Sequence, residues 1–311
     1  MGVILPSAVL VVGSLGLDSL RTPAGSVDET LGGSASYFSL AASLYTDVRL
    51  VATVGTDFPT HHRALLEKPT IDLGGLEISP DKTFRWSGMY GNDLNVAQTL
   101  DLQLNCFADF HPRLPDHYRE SEYLFIANIQ PSLQLEVLRQ AKQARLVAVD
   151  SRDLWIEQER DAFTEVLRHA HLVLLNDAEV RQYSGEQNVI AAARHLLTLG
   201  PKAVVVKKGE HGALLFGPDD AVFAIPAYPH AQVADPTGAG DSFAGALMGY
   251  LASTNNLTES ALRRAVVHGS AVASFTVEAF GVDRLQRLTM PEIRNRYAAL
   301  RQLTYVEEEP D

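Results

Sequence analysis

Short apolar runs rich in β-branched residues alternate along this chain with longer amphipathic stretches. The apolar runs are VRLVATV, YLFIA, RLVAVD, HLVLLN and KAVVVK, which begin at residues 48, 123, 145, 171 and 202. Between several of them lie amphipathic stretches such as SLQLEVLRQAKQ and DAFTEVLRHA. This alternation is typical of strand–helix–strand crossover units. It predicts an α/β fold with a central, mostly parallel sheet flanked by helices, and AVLVVG at 8–13 as a further buried strand.

Residues 81–111 interrupt this rhythm, because they carry aromatic residues and alternate in places between polar and apolar. A loop of this length without secondary structure is uncommon in a compact domain, although a long irregular loop is the alternative. We predict short strands that form a small β-sheet lid, which could close over a site and exclude water. No linker divides the chain, so we predict a single domain over residues 1–311, with lid segments at approximately 14–30 and 81–111.

Charge and cysteine content exclude several classes of protein. The formal net charge is −12, whereas a broad nucleic-acid-binding surface requires a basic face. The one cysteine, Cys106, cannot form an internal disulfide or a thiolate metal cluster, which favours a reducing compartment. The apolar run VILPSAVLVVGSLGL, from residue 3, lacks a preceding cationic segment and is too short to span a bilayer. We therefore expect a cytoplasmic protein that binds neither nucleic acid nor membrane.

The stretch DPTGAGDSFAGALMGYLA, residues 235–252, places three small residues between two aspartates and continues into an Ala-rich apolar segment. Two interpretations are open for Asp241, the second aspartate. It caps the following helix, or it does chemistry beside bare backbone amides that hold an anion. The first strand is not followed by the G-x-G-x-x-G pattern of dinucleotide-binding folds, and the P-loop pattern is absent. Any nucleotide phosphate site is therefore of another kind.

The free amides, glycines and aspartate of this stretch suit phosphoryl transfer. Amides at a helix N-terminus lack intrahelical acceptors and favour negative charge, and glycine lets a phosphoryl group approach the backbone. A neighbouring aspartate could take the proton from an attacking hydroxyl. Positioning and charge stabilisation are what this reaction mainly requires.

The segment DPTGAGDSFAGAL resembles the C-terminal signature of the ribokinase-like carbohydrate kinases, the PfkB family, which includes ribokinases, fructokinases and adenosine kinases. The resemblance covers essentially the whole chain and implies a ribokinase-like fold. It also implies that ATP is the phosphoryl donor and that Asp241 is the catalytic base. The implied anion hole consists of the amides of Gly238, Ala239, Gly240 and Asp241.

Two further segments imply an acceptor site. GGSASYFSLAAS resembles the family's N-terminal signature, in which Gly32 and Gly33 let substrate hydroxyls approach the backbone. Asp18 stands where the family has an aspartate that binds substrate hydroxyls; the alternative is an aspartate in a surface loop. Tyr37 replaces an asparagine found in many sugar and adenosine kinases, and would stack on a substrate ring or hydrogen-bond through its phenol.

The segment NDAE, which directly follows a predicted strand, matches the N-x-x-E element of the family. Asn176 and Glu179 are three residues apart, so they lie on one helix face and can converge on one site. The resemblance implies that Glu179 holds Mg²⁺ and its waters, with Asn176 close to the phosphates. A helix N-cap is the alternative role for Asn176.

The resemblance assigns several more residues to the nucleotide. In VKKGEHGALLF, Lys207 stands where the family often has a threonine or lysine near ATP, and Gly209 and Gly212 would shape the turn. His268 falls where family members place a residue near the adenine. A lone histidine on an apolar helix is equally well explained by packing.

A monovalent cation, potassium or similar, often lies beside the anion hole in this family. Asp235, six positions before Asp241, stands in the matching place, and Ser274 is a second candidate ligand. Asp235 as a turn residue before proline is the alternative.

These features predict an ATP- and Mg²⁺-dependent kinase that phosphorylates a hydroxyl, most simply a hydroxymethyl group, of a sugar or nucleoside. A homodimer formed through the lid is a further expectation from the resemblance. Two other functions stay open. A phosphate-sugar kinase of the same fold would need basic residues near the acceptor, for which Arg85 is a candidate. A non-catalytic sugar or nucleotide sensor is the other, although an intact Asp241 argues against it.

Overall fold

The structure, a computed structural model, describes residues 7–219 and 221–307. These residues form thirteen strands, which lie in two sheets. The strands are β1 (Val9–Val12), β2 (Gly16–Thr22), β3 (Gly25–Gly32), β4 (Val48–Gly55), β5 (Ile71–Ser79), β6 (Phe84–Tyr90), β7 (Ala97–Gln103), β8 (Tyr123–Ile126), β9 (Leu146–Asp150), β10 (Leu172–Asn176), β11 (Ala203–Lys207), β12 (Ala213–Phe216) and β13 (Val222–Ile225).

Ten α-helices connect or cover these strands within the same described residues. They are α1 (Ser34–Ala42), α2 (Thr60–Leu66), α3 (Pro131–Gln140), α4 (Asp153–Gln158), α5 (Arg160–His169), α6 (Asp177–Ser184), α7 (Val189–Leu197), α8 (Ala239–Thr254), α9 (Glu259–Thr276) and α10 (Met290–Leu303).

The large sheet has nine strands in the order β13-β12-β11-β10-β9-β8-β1-β4-β5. Neighbours from β11 to β5 pair in parallel, and only β12 and β13 are antiparallel additions at one edge. The five apolar runs singled out in the sequence become β4, β8, β9, β10 and β11, and the two amphipathic stretches become α3 and α5. The predicted fold class is confirmed.

Both faces of the central strands of the large sheet are buried, which explains why strands such as β1, β8 and β9 are almost entirely apolar instead of alternating. In β8, Tyr123 and Phe125 enter one core and Leu124 and Ile126 enter the other. Helices α1, α8, α9 and α10 cover the first core, whereas α3, α5, α6 and α7 cover the second. Burial of both faces makes the sheet a rigid platform for its carboxyl edge.

The small sheet has four strands in the order β3-β2-β6-β7. Strands β2 and β6 are parallel, and the two outer pairings are antiparallel. Strands β6 and β7 lie within residues 81–111, so that segment is a strand pair and not an irregular loop. Strand β3 continues to Gly32, beyond the boundary predicted near residue 30, and leads directly into α1.

None of the helices in residues 7–219 and 221–307 combines the length and apolarity that a bilayer crossing requires. The N-terminal apolar run begins at residue 3, and residues 3–6 lie outside the described part of the chain. Its later portion forms β1, whose four residues are buried.

Three neighbouring parallel strands end at the same edge of the large sheet. Strand β9 ends at Asp150, β10 at Asn176 and β11 at Lys207, and Asn176 and Lys207 are register partners. Ligands of open α/β sheets bind outside the carboxyl ends of the strands. This edge is therefore where a site is expected.

Candidate active site

The N-terminus of α8 presents unpaired backbone amides. Gly238, the N-cap, has φ 72° and ψ 1°, a left-handed conformation that glycine adopts without strain. The Ala239 amide bonds to the Pro236 carbonyl at 3.3 Å. Among the described residues, the amides of Gly240 and Asp241 have no hydrogen-bond acceptor. Such a helix start is suited to binding an anion.

Asp241 lies in the first turn of α8, and no side chain of the described residues caps this helix. Of the two interpretations of Asp241, capping is therefore the one that the geometry does not support. Burial raises the pKa of Asp241 to about 7, and nearby Asp150 adds to the rise while Lys207 opposes it. A carboxylate with a pKa near neutrality suits a general base.

Lys207 and Asp150 form a buried ion pair at the carboxyl edge of the sheet. Lys207 Nζ lies 2.6 Å from Asp150 Oδ2, and the two side chains are 17% and 4% exposed. Lys207 also borders the anion hole, because a β-carbon built on Gly240 would lie 3.1 Å from Nζ. Sequence reasoning missed Asp150, although its position as the last residue of RLVAVD could have indicated it.

Asn176 and Glu179 form a reciprocal capping box at the start of α6. Asn176 Oδ1 accepts the Glu179 amide at 2.8 Å, and Glu179 Oε2 accepts the Asn176 amide at 2.7 Å. The N-cap alternative for Asn176 therefore holds, whatever its relation to the nucleotide. Burial and, after it, the nearby Asp150 raise the pKa of Glu179 to about 8, against the opposing effect of Lys207. A cation beside Glu179 would stabilise the ionised form of this buried carboxylate.

Asp18 is a buried residue of β2, and the surface-loop alternative is wrong. Its carboxylate lies against Gly32, where a β-carbon would come within 2.1 Å of Oδ2. Asp18 therefore covers Gly32. The expectation that Gly32 lets a substrate hydroxyl approach the backbone is not supported. Asp18 Oδ1 has no partner among the described residues. Burial and the nearby Asp235 raise the pKa of Asp18 to about 8.

Tyr37, a predicted acceptor-binding residue, contacts the anion hole. A β-carbon on Gly238 would lie 2.3 Å from the Tyr37 ring, so the ring packs directly on this glycine. The side chain is 1% exposed, and its hydroxyl has no partner among the described residues. Burial, followed by Asp235 and Asp18, raises the pKa of Tyr37, so its hydroxyl keeps its proton. The hydroxyl is thus a buried donor that no described residue satisfies.

Gly33 turns the chain from β3 into α1 with φ 88°. A β-carbon there would lie 2.4 Å from the Ser14 carbonyl oxygen, so the backbone itself occupies this space. The glycine is explained by this close approach between two chain segments.

The small sheet contacts both the loop before α8 and the turn after β11. Thr237 Oγ1 donates to the Tyr90 hydroxyl at 3.1 Å, which joins the end of β6 to the loop before Gly238. The Asn95 side chain, between β6 and β7, packs against Gly209. Neither Tyr90 nor Asn95 was indicated by a motif.

Gly209 and Gly212 shape the turn between β11 and β12. Their φ angles are 52° and 87°, and a β-carbon on Gly212 would meet the Ile225 carbonyl oxygen at 2.0 Å. Lys207 lies immediately before this turn, so the turn is next to the anion hole. Contact of either glycine with ATP stays a prediction.

The two predicted cation ligands differ in their surroundings. Asp235 is buried and joins two loops, because its oxygens accept the amides of Thr237 at 2.9 Å and Gly281 at 3.0 Å. Ser274 Oγ instead donates to the Ala271 carbonyl and accepts from the Arg296 guanidinium, each at 2.7 Å. The positive charge of Arg296 opposes a cation at Ser274, so the prediction for Ser274 is not supported.

His268 is not brought together with the other predicted site residues. Its Nδ1 lies 3.1 Å from the Tyr45 hydroxyl, and its ring contacts Tyr250 and Tyr297. Tyr250 is nine residues after Asp241 on α8, about 14 Å along the helix axis. Burial lowers the pKa of His268 to about 4, which keeps the ring neutral. These contacts explain His268 by packing, and an adenine contact stays an untested prediction.

Arg85, the candidate for binding a phosphorylated acceptor, is already paired. Its guanidinium forms ion pairs with Glu29 and with Asp57, the latter at 2.9 Å. The two carboxylates neutralise the charge that an acceptor phosphate would need.

This fold and this carboxyl edge define a kinase that transfers a phosphoryl group to a hydroxyl group. A family model described as pfkB family carbohydrate kinase matches residues 9–287. The chain belongs to this family, as its sequence signatures predicted.

A curated relative and two solved structures are similar to this chain. The cytidine kinase of Thermococcus kodakarensis is 32% identical over 248 residues, which are 78% of this chain and 88% of the relative. A putative ribokinase II from E. coli, solved with ATP and Mg²⁺, superposes with a TM-score of 0.77 at 19% identity, covering 94% of this chain and 99% of that one. A nucleoside kinase from Burkholderia thailandensis, solved in complex with ADP-inosine, superposes with a TM-score of 0.78 at 17% identity, covering 94% of this chain and 95% of that one.

Proposed function

We propose that this kinase transfers the γ-phosphoryl group of ATP to the hydroxymethyl group of a nucleoside. The acceptor oxygen bonds to the γ-phosphorus while Asp241 takes its proton. The bond between the γ-phosphorus and the bridging oxygen breaks, and ADP leaves with the electron pair. The observation that carries the proposal is the position of Asp241 in the first turn of α8, beside the unpaired amides of Gly240 and Asp241 itself.

A nucleoside is favoured as the acceptor by the cytidine kinase relative, which this chain matches over most of its length. Two buried polar atoms on the acceptor side support an acceptor with several hydroxyl groups. Asp18 Oδ1 and the Tyr37 hydroxyl are buried polar atoms without partners among the described residues. A carboxylate accepts hydrogen bonds and a phenol both donates and accepts, so together they suit the hydroxyls of a ribose.

Magnesium fits the donor set near Glu179. Hard divalent cations prefer oxygen ligands, and Mg²⁺ is commonly held by one or two carboxylates together with substrate phosphates. Glu179 offers such a carboxylate, and among the described residues no three His, Cys, Asp or Glu side chains are grouped to hold a metal alone. When bound with ATP, Mg²⁺ would neutralise phosphate charge. Asp235 remains the candidate ligand for a monovalent cation.

The two competing functions are less well supported. A phosphate-sugar kinase needs free cations near its acceptor, and Arg85 is neutralised by Glu29 and Asp57. A sensor without activity has no need for a carboxyl group placed beside unpaired amides, which is where Asp241 lies in the first turn of α8.

The proposal extends to the domain organisation, cellular location and oligomeric state of the enzyme. We infer a single-domain enzyme that acts in the cytoplasm and forms a homodimer through the small sheet. All seven residues of β7, an edge strand of this sheet, are exposed, and exposed edges readily pair with another chain. Sedimentation equilibrium of the wild type tests the dimer, and a monomer at micromolar concentration would contradict it.

The first experiment is an assay of the purified protein with ATP and Mg²⁺ against cytidine, other nucleosides, ribose and inositol. We expect cytidine or another nucleoside to give the highest kcat/KM. Substitution Asp241→Asn should then lower kcat by about 10²–10⁴-fold, the usual contribution of a positioned acid or base. ATP affinity, measured by calorimetry, should change little.

Asp161→Asn is the matched control, because Asp161 is exposed on α5. It should leave kcat unchanged. Asp241→Asn with activity within a few-fold of the wild type would remove Asp241 from the chemistry.

A further inference from the structure

The Lys207–Asp150 pair lies beside the first turn of α8. The Lys207 ammonium lies beside Gly240, whose own amide and that of Asp241 lack acceptors among the described residues. An ammonium group has three hydrogen-bond donors. The hydrogen bonds of the described residues use one of them, the 2.6 Å bond to Asp150. Two donors therefore remain beside the unpaired amides.

Neighbouring carboxyl groups stabilise the positive charge of the Lys207 ammonium. Burial by itself lowers the pKa of Lys207, but Asp150 and Glu179 outweigh burial and raise it. Asp241 adds to the same effect. Lys207 therefore remains protonated beside Gly240 of the anion hole.

Asp150 is itself held in a fixed orientation. Its Oδ1 accepts the Ser151 amide at 2.8 Å while Oδ2 binds Lys207. Asp150 ends β9 and Lys207 ends β11, on either side of β10 in the same sheet. Groups that end neighbouring strands of a rigid sheet are positioned more accurately than groups on loops.

We propose that Lys207 is a catalytic residue that binds the transferring phosphoryl group, and that Asp150 is a positioning residue that holds the Lys207 ammonium beside Gly240. The inference rests on the proposed kinase function. During transfer, negative charge is spread over the equatorial oxygens of the phosphoryl group. Lys207 and the amides of the anion hole stabilise this charge together. Lys207 keeps its proton, and the proton of the acceptor goes to Asp241.

Lys207→Met tests the catalytic role, since it removes the charge and keeps an unbranched side chain. It should lower kcat by about 10²–10³-fold, the loss found when one donor to a developing negative charge is removed. Calorimetry should also show that it weakens binding of a non-hydrolysable ATP analogue more than binding of ADP. Lys208→Met is the control and should leave kcat unchanged, because Lys208 is the adjacent, partly exposed lysine.

Asp150→Asn tests the positioning role, and asparagine can still accept the Ser151 amide. Misplacement of the ammonium should lower kcat by up to about 10²-fold with acceptor KM nearly unchanged. The double variant should be no slower than Lys207→Met alone, because Asp150 acts through Lys207 and residues that act as a unit are not additive. It also removes both buried charges, so a folded double variant, judged by near-UV circular dichroism, excludes misfolding as the cause of the loss.

The outcomes separate this inference from the proposed function. If the wild type phosphorylates none of the acceptors, the proposed function fails. If the wild type is active and Lys207→Met keeps kcat within threefold, the catalytic role of Lys207 is overturned and the pair is structural. If the losses from Asp150→Asn and Lys207→Met multiply in the double variant, Asp150 acts independently and its positioning role is overturned.

Discussion

Tyr90 and Thr237 are joined by a hydrogen bond of 3.1 Å between residues 147 positions apart in the chain. Tyr90 ends β6 of the small sheet, and Thr237 immediately precedes Gly238 at the start of α8. Because Thr237 also donates its amide to Asp235, the bond links the lid to the loop that shapes the anion hole. This contact identifies the position at which lid closure can be tested.

Tyr90→Phe removes only this hydrogen bond. We expect kcat/KM for the acceptor to fall by roughly 5–10-fold, since a lost hydrogen bond between neutral groups costs about 1 kcal/mol. Tyr305→Phe is the control, because Tyr305 is 61% exposed. Steady-state kinetics on both variants makes the comparison, and equal effects would show that the bond does not contribute to closure.

The pH dependence of kcat/KM should report the ionisation of Asp241. Its pKa is raised to about 7, so the base is protonated and inactive below that pH. The rate should therefore rise about tenfold per pH unit up to about pH 7 and level off above it. In Asp241→Asn the residual rate should lose this inflection. An unchanged inflection in that variant would assign it to another group.

Asp18→Ala should impair use of the acceptor far more than binding of ATP. Asp18 Oδ1 is buried without a partner among the described residues, and a site built to pair hydroxyls rejects analogues that leave its groups unpaired. The comparison is kcat/KM for the acceptor against Kd for ATP, with deoxy analogues of the preferred acceptor as a second probe. Equal losses in both constants would mean that Asp18 supports the fold.

The same aspartate should make the protein less stable at alkaline pH. Its pKa is about 8 in the folded protein, above the value of 3.8 for an unperturbed aspartate, so the folded state binds more protons than the unfolded state. Its contribution to stability is therefore present at low pH and is lost as pH rises through about 8. Asp18→Asn should raise Tm at pH 9 by a few degrees, since about 1 kcal/mol corresponds to about 2–4 °C in a large domain. The gain should shrink at pH 6, and an equal gain at both pH values would contradict the ionisation.

Glu179→Gln should raise the Mg²⁺ concentration needed for half-maximal rate. Glutamine can take the place of glutamate in a capping box, so α6 should keep its N-terminus while the charge is lost. Mg²⁺ is held by few carboxylates in such sites, so the loss of one should weaken Mg²⁺ binding. A Mg²⁺ titration with the midpoint of the wild type would leave Glu179 with a capping role alone.

Local patterns were sufficient for the main sheet and for part of the site. The parallel strands were predictable because burial on both faces makes each strand a short apolar run, which is visible without its neighbours. The N-terminus of α8 was predictable because Gly238, Gly240 and Asp241 are consecutive or nearly so, and a single helix start orients them. The N-cap role of Asn176 was open as an alternative for the same local reason, whereas the reciprocal bond from Glu179 was not predicted.

Only the tertiary structure decided which distant side chains meet. Lys207 and Asp150 are 57 residues apart and become partners because β9 and β11 both flank β10. Tyr37 packs on Gly238 because α1 and α8 cover the same face of the large sheet. Ser274 and His268 matched expected positions in sequence, yet Arg296 and a cluster of tyrosines determine their surroundings. Periodicity and local motifs report what one segment buries or caps, whereas the charge and contacts around a side chain come from segments that the chain brings together only when it folds.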